Sequence, residues 1–501
     1  MKQFLKNAAK HTAIFGLGDV AQKIVGFLLL PVYMRKLTPD DYGVLAMLGV
    51  ISMLAGNLIL QGLPTACFRS YSYDYSENLQ EQKEVVSSAY LYLLLISFIF
   101  YFILFWASPF ISSVAFKEGD FSRFLRIVFI TDFFSCASNI PFVVLRARLL
   151  SALASVIAVV RVVIGSSLII WLVVFKNMKV EGVLLANLIM AASVFCTSPL
   201  IPILVHKGFT FKISFKKLRE MLAFGLPFIP GTFAMWILSS ADRYFLEHFS
   251  TRAQLGLYAL GFQFASIVSF LFLQPFNRTW PAIFYPKAKE HDAKETFSRF
   301  PTYFFLFGGT IGLCIVLGSE HLIKIMGPRE YWDAYKVVPI LVAGILLGTN
   351  GLQGLFNVGI FLEKKTKYAP IIVLCGAVLN IFLNALLVPK YGMIGAALGT
   401  LFSALAMLFI SYKINQKYYP LSYEFNRILQ LFLLFTPIVV INHFLHIESF
   451  LLAMVIKGNL MLIFIFSLFL TKFFNEEELS FIRSYYKKFV LSRFKSEPTN
   501  I

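Results

Sequence analysis

The chain has 501 residues, of which 58% are hydrophobic and only 14% are charged, and its mean hydropathy is +0.73. This composition is too apolar for a soluble globular protein. The net charge of +18 would suit a nucleic-acid binder, but the basic residues are dispersed among short loops, which favours lipid headgroups and no nucleic-acid partner.

Apolar blocks recur along the chain at the length with which an α-helix crosses about 30 Å of hydrocarbon. They predict an all-α integral membrane protein with about fourteen transmembrane helices. The predicted spans cover residues 11–34, 42–67, 85–107, 121–145, 150–175, 182–205, 220–246, 255–277, 300–318, 333–361, 367–388, 392–412, 428–446 and 450–470.

The loops differ in charge on the two sides of this predicted bundle. Of the 45 Lys and Arg residues, 29 lie before span one, in the alternate loops that follow and in the tail, whereas nine lie in the opposite loops. The positive-inside rule therefore predicts a multi-pass protein of the cytoplasmic (inner) membrane with both termini in the cytoplasm.

The longest loops, residues 69–84 and 278–299, leave no room for a catalytic domain outside the membrane. This favours a transporter, and the chain is predicted not to be an enzyme. A membrane glycan polymerase or ligase is the alternative of a different class. The five cysteines lie in or at the ends of predicted spans, and the loop residues His443 and His446 lack a third ligand, so no metal site and no cofactor are predicted.

An internal repeat appears at a fixed offset along the chain. Residues 37–46 align with residues 250–259, so that Thr38, Gly43 and Ala46 match Thr251, Gly256 and Ala259, and the same offset matches Gly182 with Gly395. Six spans per repeat is an even number, which predicts two parallel repeats related by an axis along the membrane normal.

These observations divide the chain into five parts. They are a first lobe (1–206), a cytoplasmic linker (207–219), a second lobe (220–412), two appended spans (413–474) and a cytoplasmic amphipathic tail (475–501). The tail places Phe481, Ile482, Tyr485 and Phe489 at helical spacing, which is typical of a helix on the membrane surface.

The two repeats begin with similar interrupted helices. Gly16 and Gly18 of span one align with Ile229 and Gly231 of span seven, beside Pro227 and Pro230. Broken helices at corresponding positions point to the central site or gate of a transporter, and a kink without function is the alternative.

Several stretches resemble a known family. These are residues 221–230, 236–246 with the motif Asp-Arg-Tyr-Phe-Leu at 242–246, 37–43 and 388–397. They resemble the Wzx-type polysaccharide-transport flippases of the multidrug/oligosaccharidyl-lipid/polysaccharide exporter superfamily, and the similarity runs from about residue 5 to residue 412.

The resemblance implies a V-shaped bundle of two lobes. It further implies alternating-access flipping of undecaprenyl-pyrophosphate-linked oligosaccharide repeat units for O-antigen, capsule or exopolysaccharide synthesis. The expected partners are the lipid-linked oligosaccharide, membrane lipids, and the polysaccharide polymerase and chain-length machinery. Coupling to H⁺ or Na⁺ stays open. A cation-coupled small-molecule exporter or a lipid II flippase of the same superfamily is the alternative.

Charged residues near mid-membrane are the first candidates for the substrate cavity, since a charge in hydrocarbon is costly. They are Asp19, Lys23, Asp132 and Arg161. Asp19 and Lys23 are four residues apart and can instead neutralise each other. Arg161 has no acid in its own helix, so we expect it to contact the pyrophosphate; a pair with Asp132 or Asp19 is the alternative.

The second lobe offers amides rather than mid-membrane charges. Asn350, Asn357, Asn380 and Asn384 suit sugar hydroxyls, and hydrogen bonds between helices are the alternative. Asp242 and Arg243 lie near the outer end of predicted span seven, which favours a gate or packing role.

Overall fold

The computed structural model describes residues 23–148, 150–206, 212–445, 447, 449–476 and 478–480. The described residues form helices and turns without a strand, so the predicted all-α fold is confirmed. The helices are α1 Leu30–Lys36, α2 Pro39–Leu60, α3 Leu63–Arg69, α4 Leu79–Trp106, α5 Ser108–Ala115, α6 Ser122–Ala137, α7 Asn139–Ala147, α8 Ser151–Ile170, α9 Lys179–Thr197, α10 Leu200–His206, α11 Phe215–Gly225, α12 Ile229–Phe249, α13 Arg252–Ala265, α14 Gln274–Lys287, α15 Ala293–Met326, α16 Val338–Leu347, α17 Leu352–Leu355, α18 Val358–Leu362, α19 Tyr368–Tyr418, α20 Phe425–Phe444 and α21 Phe450–Leu470.

Twelve helical stretches in this part of the chain are long and apolar enough to cross a membrane. One of them, α19, has 51 residues and bends at Gly392, where φ is 53°. Glycine suits this conformation, and a β-carbon there would overlap the Gln254 side chain. The arms 368–391 and 393–418 are each long enough for one crossing. Half of predicted span one lies outside the described residues, so the count of fourteen stays a prediction.

The start of α2 and the start of α13 are built alike. The Thr38 hydroxyl accepts a hydrogen bond from the Asp41 backbone N–H at 3.2 Å, and the Thr251 hydroxyl accepts one from the Gln254 N–H at 3.3 Å. Both threonines are N-caps, which satisfy amide groups that the first helical turn leaves free. The two caps occupy equivalent positions of the predicted repeat, and we call the end of the bundle that holds them the N-cap end.

The two lobes meet at the N-cap end through a reciprocal contact. A β-carbon on Gly43 would overlap the carbonyl oxygen of Arg252, and one on Gly256 would overlap that of Pro39. Pro39 and Arg252 are also equivalent positions of the repeat, so each lobe presents the same surface to the other, as at a two-fold axis. This reciprocity supports the predicted parallel repeats.

We expect Gly256→Val to push the lobes apart at the N-cap end, because the added methyl groups must displace backbone and overpacking costs about 1–3 kcal/mol. Spin labels on Asp40 and Phe249 should then report longer distances than in the parent protein. Gly56→Val is the matched control, since a β-carbon on Gly56 meets no atom within 4 Å. An unchanged distance distribution in Gly256→Val would contradict this contact.

The interruption predicted from Pro227 and Pro230 is present. α11 ends at Gly225, a 3₁₀ turn covers Leu226–Phe228, and Pro230 lies in the first turn of α12. The 21 residues of α12 are by themselves long enough to cross about 30 Å, so the break precedes a helix of full crossing length. Gly16 and Gly18 lie outside the described residues, and the matching break in span one stays a prediction.

The break packs against the first lobe, because Gly225 contacts the backbone of Gln61 and Gly62. We call this end of the bundle, with residues 61–78 and 212–225, the linker end. The helix α11 starts inside the predicted linker and packs against α3 and α4.

The appended helices α20 and α21 pack on α15 through an apolar core that includes Leu317 and Phe464. A buried ionic cluster also joins α15 to α21. The Lys457 Nζ atom of α21 lies 3.1 Å from Glu320 Oε2 and 2.9 Å from His321 Nδ1, both on α15. Most of the predicted amphipathic tail, from Phe481 onward, lies outside the described residues.

Candidate functional site

A central cavity of about 580 Å³ lies between the two lobes. On α2, Tyr42, Leu45, Gly49 and Ser52 line it at helical spacing, and α13 faces them with Ala259, Phe262 and Gln263. The polar and charged lining side chains include Lys23, Tyr42, Ser52, Thr131, Asp132, Asn187, Arg243, Gln263 and Ser266. The cavity therefore combines two cations and one carboxylic acid with groups that can hydrogen bond to sugars.

Asp132 is held in the cavity wall by one hydrogen bond. The Ser52 hydroxyl donates to its Oδ1 atom at 2.8 Å, whereas Oδ2 is buried and has no partner among the described residues. The structure thus brings Asp132 and Lys23 to one cavity, and the substrate role predicted for them stays a prediction. Asp19, the alternative partner of Lys23, lies outside the described residues.

Arg243 lies in the wall of the same cavity. Its guanidinium carbon is 5.2 Å from the centre of the Phe262 ring, and its buried Nε atom has no hydrogen-bond partner among the described residues. No acidic side chain in this part of the chain forms an ion pair with the guanidinium. A guanidinium group held against an aromatic face without a direct ion-pair partner is available to an anionic ligand.

Asp242, the neighbour of Arg243, points away into packing. It is 2% exposed and accepts hydrogen bonds from the Tyr258 hydroxyl and from the backbone N–H of Arg243. Arg243, in contrast, lines the central cavity, and the gate or packing role predicted for both residues stays a prediction.

The structure ends α12 at Phe249, three residues beyond the predicted end of span seven at residue 246. Arg243 therefore lies about 9 Å from the end of this helix at 1.5 Å per residue, and its side chain lines the central cavity. The gate or packing role predicted for Arg243 stays a prediction.

Side-chain contacts join the lobes around the cavity. The Tyr42 hydroxyl donates to Gln263 Oε1 at 3.2 Å, and Trp236 Nε1 donates to the Val50 carbonyl at 3.1 Å. At the linker end, the Tyr75 hydroxyl donates to Glu220 at 2.7 Å. This hydrogen bond is the main reason that the pKa of Tyr75 is raised to about 12, so the contact persists across the physiological pH range.

Arg161 lines a second cavity, of about 450 Å³, which lies within the first lobe; we call it the lateral cavity. Arg161 is not among the residues that line the central cavity. The predicted alternative of an Arg161–Asp132 ion pair is absent from the described contacts, and the Arg161 guanidinium lies 5.7 Å from the Phe142 ring centre.

The predicted asparagines do not gather at the central cavity. Asn384 donates to Asn380 at 3.0 Å within α19, and one side-chain atom of each is buried without a described partner. Asn357 lines a third cavity near the linker end together with Gly231, and the Asn350 carbonyl accepts a hydrogen bond from Asn277. The substrate role predicted for these residues stays a prediction.

An apolar cavity of about 650 Å³ lies between α15, α16 and α20 and is lined by residues such as Leu313, Leu346 and Phe435. It is far less polar than the central cavity and suits a hydrocarbon chain better than a sugar. No three His, Cys, Asp or Glu side chains in the described part of the chain are grouped to hold a metal ion.

Sequence reasoning missed the uncharged polar residues of the central cavity. Ser52, Asn187 and Gln263 each lie within a predicted span, but the search considered charges in the first lobe and asparagines in the second and passed over them. A polar side chain inside an apolar span was the available signal, because such groups face protein or a water-filled cavity.

More than half of the chain matches a known protein family. Residues 32–334 match a family described as polysaccharide biosynthesis protein. The Lsg locus putative protein 1 of Haemophilus influenzae is 25% identical over 343 residues, which is 67% of this chain and 81% of that protein.

Two solved structures share the fold. The lipid II flippase MurJ in an inward closed conformation superposes with a TM-score of 0.67 at 16% identity, over 92% of this chain and 99% of that one. An inward-facing multidrug resistance MATE transporter of the MOP superfamily superposes with a TM-score of 0.58 at 14% identity, over 79% of this chain and 95% of that one.

Proposed function

The chain belongs to the polysaccharide biosynthesis protein family, and from this premise we propose that it is a flippase for lipid-linked oligosaccharide repeat units. It carries them from the cytoplasmic to the outer leaflet of the cytoplasmic membrane by alternating access. The chain is a multi-pass membrane protein with the fold of MOP-superfamily transporters, and this fold supports transport over catalysis.

One observation carries the proposal: Arg243 lines the cavity between the lobes without an ion-pair partner among the described residues. A cation without a direct ion-pair partner inside a membrane protein is costly unless an anion occupies the site during function. The pyrophosphate of a lipid-linked saccharide supplies such an anion, and Arg offers it two parallel hydrogen bonds.

The sugars and the polyprenyl chain of the proposed substrate also match cavities of this protein. Asn187, Gln263 and Ser52 offer donors and acceptors to sugar hydroxyls in the central cavity. The polyprenyl chain needs apolar surroundings throughout, and the apolar cavity beside α20 provides them.

The loop charges support a cytoplasmic location of both termini. The linker end is then cytoplasmic and the N-cap end faces outward. We also propose coupling to H⁺ or Na⁺, for which the buried Asp132, with one free carboxyl oxygen, is the candidate group in the central cavity.

Deletion of the gene tests the proposal. We expect lipid-linked repeat units to accumulate in the cytoplasmic leaflet and to return to normal when the gene is restored. Loss of a membrane polymerase would instead leave single repeat units outside, and loss of a small-molecule exporter would leave the glycan unchanged. Either of these two patterns would refute the proposed function.

A further inference from the structure

The lateral cavity has its own cationic lining. Arg146 of α7 and Arg161 of α8 both line it, and neither forms an ion pair with any residue that the structure describes. Two guanidinium groups that line one cavity without a described acid give its lining a net positive charge, which favours an anion there.

The other lining residues leave room for such an anion and can hydrogen bond to it. On α8, Ala154, Ser155 and Ala158 precede Arg161 on one helix face, and their small side chains keep the cavity open. On the facing side, Ser135 and Asn139 supply a hydroxyl and an amide.

The position of the two arginines suggests a direction of entry. Arg146 lies next to the end of α7 at Ala147, near the linker end, and α8 starts there at Ser151. Arg161 is ten residues farther along α8, about 15 Å deeper at 1.5 Å per residue. A headgroup that enters from the linker end meets Arg146 first and Arg161 second.

We propose that the lateral cavity is an anion-binding site for the pyrophosphate of a polyprenyl lipid, separate from the central cavity. Pyrophosphate suits an arginine-lined cavity because each of its phosphate groups can accept paired hydrogen bonds from a guanidinium group. The identity of the lipid rests on the proposed function, whereas the anion site rests on Arg146, Arg161 and the polar lining.

A photo-crosslinking experiment tests both cavities in one protein. Phe142 lies beside Arg161 and Phe262 lies beside Arg243, so p-benzoylphenylalanine at either position probes one cavity. The purified full chain is incubated in detergent with labelled undecaprenyl pyrophosphate and illuminated. Phe110→p-benzoylphenylalanine is the control, because Phe110 is 71% exposed and lines neither cavity.

We expect crosslinking at residue 142 that falls at least about tenfold in Arg146→Gln/Arg161→Gln, since each lost charge-assisted contact weakens binding by about that factor. Arg243→Gln should leave this crosslink intact and reduce the one at residue 262. An excess of phosphatidylglycerol or of inorganic pyrophosphate should compete much less well than the unlabelled polyprenyl lipid.

The other outcomes of this experiment separate the anion site, the identity of the lipid and the proposed function. No crosslink at residue 142 above the Phe110 control, or one that both arginine replacements leave unchanged, overturns the anion site while the proposed function stands. Equal competition by phosphatidylglycerol or inorganic pyrophosphate overturns the assignment of a polyprenyl lipid. An arginine-dependent crosslink in a protein whose deletion leaves glycan export normal supports the site and refutes the proposed function.

Discussion

Arg243→Gln is expected to reduce the transport rate per folded molecule at least about 100-fold, because the cavity loses at least two charge-assisted hydrogen bonds to the pyrophosphate, each worth about 1.5–3 kcal/mol. The measurement is the movement of a lipid-linked oligosaccharide across vesicles that contain the purified protein. The amount of folded protein should stay close to that of the parent, since Asp242 keeps the hydrogen bonds that hold it, from Tyr258 and from the backbone.

Arg243→Lys separates charge from geometry. Lysine keeps the positive charge but cannot donate two parallel hydrogen bonds, so its transport rate should fall between those of the parent and of Arg243→Gln. The matched control is Arg123→Gln, which removes an arginine that is 76% exposed and paired with Glu181 at 2.6 Å. A normal rate in Arg243→Gln would mean that other residues hold the pyrophosphate.

Glu320→Gln is expected to destabilise the protein by about 3–5 kcal/mol, because it removes one partner of a buried ionic cluster. The Glu320 side chain is 3% exposed and lies 2.7 Å from Lys324 and 3.1 Å from Lys457. Without it, two ammonium groups and His321 share the site with no acid. The measurement is the thermal unfolding midpoint in detergent, together with the amount of protein in the membrane.

The cluster also contains a directed pair of hydrogen bonds. Lys457 can only donate, so His321 accepts through Nδ1 and donates through Nε2 to the Ile447 carbonyl at 3.1 Å. These hydrogen bonds join α15 to α21 and to the turn before α21. Replacement of Glu320 should therefore loosen the appended helices α20 and α21 before the rest of the protein.

Two further variants test whether the loss of stability comes from the buried cluster or from replacing any glutamate on this helix. Glu295→Gln, on the same helix, breaks an exposed pair with Arg299 and should cost at most about 1 kcal/mol. Glu320→Gln/Lys457→Met removes both charges and should recover much of the lost stability. Equal unfolding midpoints for Glu320→Gln and Glu295→Gln would contradict a stabilising role of the cluster.

The sequence by itself determined the class of protein and its internal symmetry. Hydropathy favours helices because lipid offers no partner for backbone polar groups, and the described residues indeed form helices and turns without a strand. The constant offset between the repeats predicted equivalent helix starts, and Thr38 and Thr251 are indeed both N-caps. Pro227 and Pro230 predicted a helix break, because proline cannot donate a backbone hydrogen bond inside a helix.

The tertiary structure alone decided which polar residues share a cavity. The spans are apolar on nearly every face, so their sequences carry little information on which face turns toward the other lobe. Depth along a helix can be counted, but rotation depends on packing against neighbours that are distant in the chain. For this reason Lys23, Asp132 and Arg243 meet in the central cavity, whereas Arg161, predicted at a similar depth to Lys23 and Asp132, lines the lateral one.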